Sequence, residues 1–153
     1  SQIPPLQGTS HYDDFLVATQ QFCQLIKASG AIPVMFMTWG AQNGDRQHLQ
    51  ISPNYTVMQE RLSQAYRGVA LANQAELVPV GEAWAYVRQQ PPEWGNQLYQ
   101  HDGHHPSVIG NYLSAGMFCR YFWDIDAFDN ITIKLDSATK ALLRAAIAST
   151  RQD

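Results

Sequence analysis

The chain has 153 residues, a length suited to a single globular core, with 45% hydrophobic and 15% charged residues. A net charge of −3, with the few basic residues scattered, argues against nucleic acid as the main partner. No apolar run approaches the ~20 residues needed to span a bilayer, and the longest, Ala31 to Thr38, is interrupted by Pro33.

From the N-terminus, Ser-Gln-Ile-Pro-Pro carries neither the basic region nor the apolar core of a signal peptide, so a secreted or periplasmic location stays open only if such a signal has been removed. Residues Ile3 to Leu6 suit the tail of a strand. His11 to Ser29 places Phe15, Val17, Ala18, Phe22, Leu25 and Ile26 at roughly helical intervals. Ser10 is the expected cap of this helix, and Gly30 its stop. Ala31 to Thr38 then reads as a strand covered on both faces, as in a parallel sheet.

Gly40 to Pro53 is polar and irregular, and a second helix is expected from about Asn54 to Asn73. Ala75 to Val80 is a second short strand, with Gly81 opening the turn after it. Glu82 to Gln89 reads as a short helix ended by Pro91 and Pro92, and Glu93 to His105 as loop. Pro106 to Tyr121 forms a further helix, with proline at the first position, where its missing N–H does no harm. Its Tyr112, Met117, Phe118, Tyr121 and Phe122 have the spacing of core residues. Ile131 to Leu135 is either a short strand or extended chain, and Asp136 caps a last helix, Ser137 to Ala148.

Helix, strand, helix, strand, helix in that order gives an α/β class with a parallel sheet. No repeat, low-complexity stretch or linker divides the chain, so residues 1–153 read as one domain. Two strands make a small parallel sheet, and the expectation is a fold incomplete at its N-terminus. Cys23 and Cys119 are too few for a disulfide framework or a thiolate metal site, and they stand either as buried free thiols or as one long-range bridge.

The densest chemical signal is Leu98-Tyr-Gln-His-Asp-Gly-His-His-Pro-Ser107, followed by Gly110, Tyr112 and Leu113. Asp102 and His105 are three apart, just before a helix. A carboxylate there can hold one ring nitrogen of the imidazole while the other faces a cleft, as acyl transfer requires of its base. Three histidines in five residues could instead bind a metal. Adjacent His104 and His105 point apart, however, and no glutamate is placed as in His-Glu-x-x-His, so no metal is expected.

The block Asp102-Gly-His-His-Pro-Ser107, with glycine four residues after the proline, resembles the Asp-x-x-His block of the SGNH (GDSL-like) serine hydrolases. Val78 to Trp84 and Met35 to Trp39 resemble the strands that precede this block in one branch of the family. Leu6-Gln-Gly-Thr-Ser10 is similar to that branch's Leu-Gln-x-x-Ser segment. The resemblance implies a three-layer, flavodoxin-like α/β fold, a parallel sheet flanked by helices, and hydrolysis of O-acyl esters such as carbohydrate O-acetyl groups. It makes Asp102 the orienting acid, His105 the general base and Gln7 a candidate oxyanion donor. It implies no cofactor, and a small-molecule or carbohydrate ester as substrate.

Trp39, Glu82 and Trp84, at the carboxyl ends of strands, either line a substrate cleft or serve the core and the helix start. Trp94 and Tyr99 either stack on a sugar or anchor their loop. The family's Gly-Asp-Ser nucleophile block has no counterpart. Gly8-Thr9-Ser10 imitates it, but Pro4 and Pro5 before it make a poor buried strand. Two readings follow: the C-terminal part of an SGNH-type esterase, or a non-catalytic α/β module. In either, a missing N-terminal segment or another chain would complete the sheet.

Overall fold

A computed structural model describes residues 7–129 and 134–150. They fall into two compact units that meet in sequence between Val78 and Pro79. The first contains α1 (Ser10–Ala28), β1 (Val34–Phe36), α2 (Tyr55–Ala72) and β2 (Glu76–Val78). The second contains α3 (Val80–Arg88), α4 (Pro92–Gln97), α5 (Val108–Trp123) and α6 (Ser137–Ser149). The suggested strand at Ile3 to Leu6 lies outside the described residues, as does most of Ile131 to Leu135.

In the first unit, the residue that flanks α1 is Thr9, in extended conformation, and Ser10 is already helical. The helix stops as expected at Gly30, whose φ of +81° suits a residue without Cβ. The Gly30 N–H donates to the Lys27 carbonyl at 2.9 Å and the Ala31 N–H to that of Ile26 at 3.2 Å. Those two bonds satisfy carbonyls that the helix end would otherwise leave unpaired.

β1 and β2 pair in parallel, Val34 beside Glu76 and Phe36 beside Val78, with α2 as the crossover between them. Met58, Leu62, Ala65 and Val69 recur along one face of α2 and are buried. Met37 of the β1 segment, Ala70 and Leu77 form one buried cluster, and Ala41, Met58 and Leu62 a second. Buried Gln59 accepts the Gly40 N–H at 2.8 Å and donates to Ser63 Oγ at 3.2 Å, so its amide is satisfied.

β1 corrects one expectation. Instead of being covered on both faces, it alternates: Pro33 and Met37 are buried, whereas Ile32, Val34 and Phe36 are 68%, 36% and 40% exposed. Among the described residues the run is thus packed with α2 on one face and exposed on the other.

In the second unit, α3 begins at Val80, so Gly81 lies inside the helix rather than in a turn. The Pro79 carbonyl accepts the Glu82 N–H at 3.1 Å, and proline in this position forfeits no helical donor. Val80, Ala83, Trp84 and Val87 form the buried face of α3, against which α4, α5 and α6 pack. Part of the expected loop from Glu93 is helical, as α4. Buried Gly95 there lies so close to Arg88 that a Cβ would stand 2.9 Å from Arg88 Cδ.

Ser107, not Pro106, marks the start of α5, its Oγ accepting the Gly110 N–H at 3.2 Å. Asp136 caps α6 as expected, accepting the Thr139 N–H at 2.8 Å. Of the residues on α5 expected in the core, Met117 is buried but Phe122 is 50% exposed. That helix is apolar on more than one face, so spacing alone did not select the inward one. Cys23 and Cys119 are both free thiols, the first buried and the second half-buried.

Asn54 provides a test of this architecture, because its side chain accepts the Val57 N–H at 3.0 Å at the start of α2. Asn54→Ala should cost about 1 kcal/mol, read as a lower urea midpoint at unchanged slope. An unmoved midpoint would mean that the cap is not made in solution.

Candidate active site

The segment from Tyr99 to Pro106 is a closed loop in the second unit. Tyr99 and Pro106 form an isolated antiparallel bridge, and the Ser107 N–H donates to the Leu98 carbonyl at 2.8 Å. The Gln100 N–H donates to the His105 carbonyl at 2.8 Å, and the Gly103 N–H to that of Gln100 at 3.0 Å. Gly103 sits at φ +71°, a conformation that glycine adopts without steric cost.

Within this loop Asp102 turns back on its own chain. Its Oδ1 accepts the backbone N–H groups of His104 at 2.8 Å and His105 at 3.0 Å. Its Oδ2 lies 2.5 Å from His105 Nδ1. The bond to the imidazole first, and then the two backbone donors, hold the Asp102 carboxyl well below the usual carboxylate range. The His105 side chain is 73% exposed, so the opposite edge of its ring faces outward.

The loop rests on a buried platform. Trp84 is fully buried, donates its indole N–H to Ser114 Oγ at 3.2 Å, and meets the Tyr99 ring edge-on at 5.0 Å. Gly110, in the first turn of α5, lies directly over it. A Cβ at Gly110 would stand 2.3 Å from the Leu98 carbonyl oxygen and 2.8 Å from the Trp84 ring. The glycine four residues after Pro106 is therefore a packing requirement of the loop's foundation.

Of the two cleft candidates on α3, Trp84 is corrected to a core residue, because no part of its surface reaches solvent. Glu82 lies partly exposed in the first turn of that helix. Tyr99 anchors its loop: it is buried, with the Arg88 guanidinium 5.6 Å from its ring centre. Trp94 is half-buried on α4.

Gln7 and Trp39 belong to the first unit. Gln7 is exposed, and its backbone carbonyl accepts a bond from Arg61 Nη1 at 3.4 Å. Trp39 is half-buried, with its ring 6.3 Å from that of Phe36. The serines nearest His105 in sequence are engaged in the second unit's framework. Ser107 caps α5 and donates to the Gln97 carbonyl, while Ser114 donates to Gly110. Among the described residues, no group of three or more His, Cys, Asp and Glu side chains is arranged to hold a metal ion.

The sequence reading passed over a second pair with the same spacing. Asp45 Oδ2 lies 2.7 Å from His48 Nδ1 in the loop after β1. Contact at this spacing is thus not specific by itself. The two pairs differ in access, since the His48 side chain is 31% exposed against 73% for His105.

No protein-family model matches this sequence, and no curated protein does. Two solved structures do. One is a DUF4886 family protein from Bacteroides uniformis ATCC 8492, at 20% identity and a TM-score of 0.79, with 97% of this chain and 59% of that one covered. The other is a candidate SGNH hydrolase from Slackia heliotrinireducens, at 25% identity and a TM-score of 0.59, with 73% and 58% covered. The chain therefore spans about three fifths of the length of either structure. Its α/β fold, with a small parallel sheet, is SGNH hydrolase-like.

Two measurements probe this site. Gly110→Ala should lower stability by about 1–3 kcal/mol, because Leu98 and Trp84 must shift to admit a methyl group. A urea midpoint equal to wild type would contradict the close packing. Asp102→Asn tests the carboxylate. A carboxyl whose folded pKa is depressed adds stability above its unfolded value of about 3.9 and loses it as pH falls through the lower folded value. The gap in urea midpoint between wild type and Asp102→Asn should therefore close progressively below about pH 4. A gap that is constant with pH would mean that the ionised carboxylate is not the favoured form.

Proposed function

We propose that residues 1–153 are the C-terminal part of a single SGNH-type serine esterase domain and supply its acid/base pair, Asp102 and His105. The observation that carries this reading is the exposed imidazole whose Nδ1 lies 2.5 Å from a carboxylate already held by two backbone N–H groups. An ionised carboxylate only accepts hydrogen bonds, so the proton of the neutral ring sits on Nδ1 and the lone pair of Nε2 faces outward. A general base needs that tautomer.

The reaction is hydrolysis of O-acyl esters, with carbohydrate O-acetyl groups as the substrate class. A serine in a part of the protein beyond these residues attacks the ester carbonyl. His105 takes its proton at Nε2 and returns it to the leaving alcohol, while Asp102 stabilises the imidazolium formed in between. Water then releases the acid by the same proton relay. The complete enzyme also needs an N–H donor aimed at the developing oxyanion.

Two observations support placing the serine elsewhere. Ser107 and Ser114 are committed to α5, and both solved structures are longer than this chain. The exposed row of Ile32, Val34 and Phe36 is a surface that further elements of such a fold, or another chain, would cover.

Hydrolysis of p-nitrophenyl acetate tests the reading. Residues 1–153 alone should give no rate above background. A longer protein carrying the Gly-Asp-Ser block should hydrolyse this ester, release acetate from an O-acetylated polysaccharide, and lose at least about a hundredfold in kcat on His105→Ala. Undiminished activity of that variant would remove His105 from the mechanism. Strong hydrolysis by residues 1–153, abolished by Ser10→Ala, would instead assign the nucleophile to Ser10.

A further inference from the structure

We infer that Gln100 is a positioning residue for the His105 imidazole, clamping the two carbonyls that follow the ring; this rests on the acid/base reading of Asp102 and His105. The Gln100 N–H donates to the His105 carbonyl at 2.8 Å, and its side-chain Nε2 donates to the Pro106 carbonyl at 3.1 Å. Its own carbonyl accepts the Gly103 N–H at 3.0 Å. One residue before Asp102 thus holds three points of the chain after it, at Gly103, His105 and Pro106.

The side-chain bond fills a particular gap. The bonds of the bridge run between the flanking residues, from the Gln100 N–H to the His105 carbonyl and from the Ser107 N–H to the Leu98 carbonyl, so the Pro106 carbonyl takes no bridge bond. The Gln100 amide supplies a donor there. With its side chain 73% exposed, the His105 ring takes little restraint from packing. Its orientation depends on the backbone at 105 and on the bond to Asp102. The carboxylate is in turn tied to that backbone by the N–H groups of His104 and His105. Loosening the peptide after His105 therefore moves ring and carboxylate relative to each other and weakens the preference for the Nδ1–H tautomer.

The tautomer can be read on this chain, with no need of a nucleophile, from long-range ¹H–¹⁵N correlations of the His105 ring in buffer alkaline enough to keep imidazoles neutral. Wild type should show mainly Nδ1–H, and Asp102→Asn should lose that preference. Gln100→Ala should lower the ratio of Nδ1–H to Nε2–H about fivefold, the factor expected for one neutral hydrogen bond. Gln97→Ala, a neighbouring control outside the clamp, should leave the ratio unchanged. If Gln100→Ala fails to fold, Gln100→Glu removes the donor at nearly constant size and should give the same shift. A wild-type ratio in both Gln100 variants, with Asp102→Asn still altering it, would overturn the role of Gln100 alone. A wild-type ring indifferent to Asp102→Asn would overturn the acid/base reading and the inference with it.

Discussion

The Asp102 carboxylate is the constraint on which the rest of the candidate site depends. It accepts three hydrogen bonds from a stretch of only two residues, the backbone N–H groups of His104 and His105 and the ring of His105. The backbone bonds force the chain to double back between positions 102 and 105, which Gly103 permits through its positive φ. The third bond then has little geometric freedom. Local chain folding and ring orientation are a single event here, because one side chain organises both. None of this needs burial, and the site is exposed enough that each bond by itself contributes little. Mutual reinforcement within one short loop keeps the ring in place.

An exposed loop of this kind still needs something rigid beneath it. The buried indole of Trp84 provides it, fixed by its bond to Ser114 and its edge contact with Tyr99. Gly110 brings the start of α5 down onto that ring, and Ser107 closes the corner between α4 and α5. The loop therefore leaves the framework at Tyr99 and rejoins it at Pro106, two points held by tertiary packing. Interior rigidity is transmitted to a surface group without the group itself being buried.

Local patterns were legible where one residue's chemistry decided the outcome. Gly30 stopped α1 through its positive φ, and Asp136 capped α6 with its own oxygen. The Asp102 and His105 contact follows from spacing and a turn glycine, both visible in the sequence. What spacing could not supply was which face of an element meets the core. The run from Ala31 to Thr38 and the apolar surface of α5 each present hydrophobic residues on more than one side, and only packing reveals that Phe36 and Phe122 are exposed. Trp84 posed the same problem. A tryptophan after a strand is equally compatible with a cleft and with a core, and the deciding facts, Gly110 and Ser114, lie about 30 residues away in sequence on another helix.

The two Asp-x-x-His loops show why the motif needs its surroundings to carry meaning. Asp45 and His48 reach nearly the same contact, 2.7 Å against 2.5 Å, with the same three-residue step. Asp45 also spends its second oxygen on a neighbouring backbone N–H, that of Gln47. Asp102 accepts one backbone N–H more than Asp45 does, and access separates the two further. The His48 ring is largely covered, and its loop is closed tightly enough that a Cβ at Gly44 would lie 2.5 Å from the Ser52 carbonyl oxygen. There the hydrogen-bonded pair serves to fasten a turn. The same pair at 102 and 105 presents an uncovered nitrogen on a well-supported loop, and a base that must exchange protons with a substrate has use only for the second arrangement.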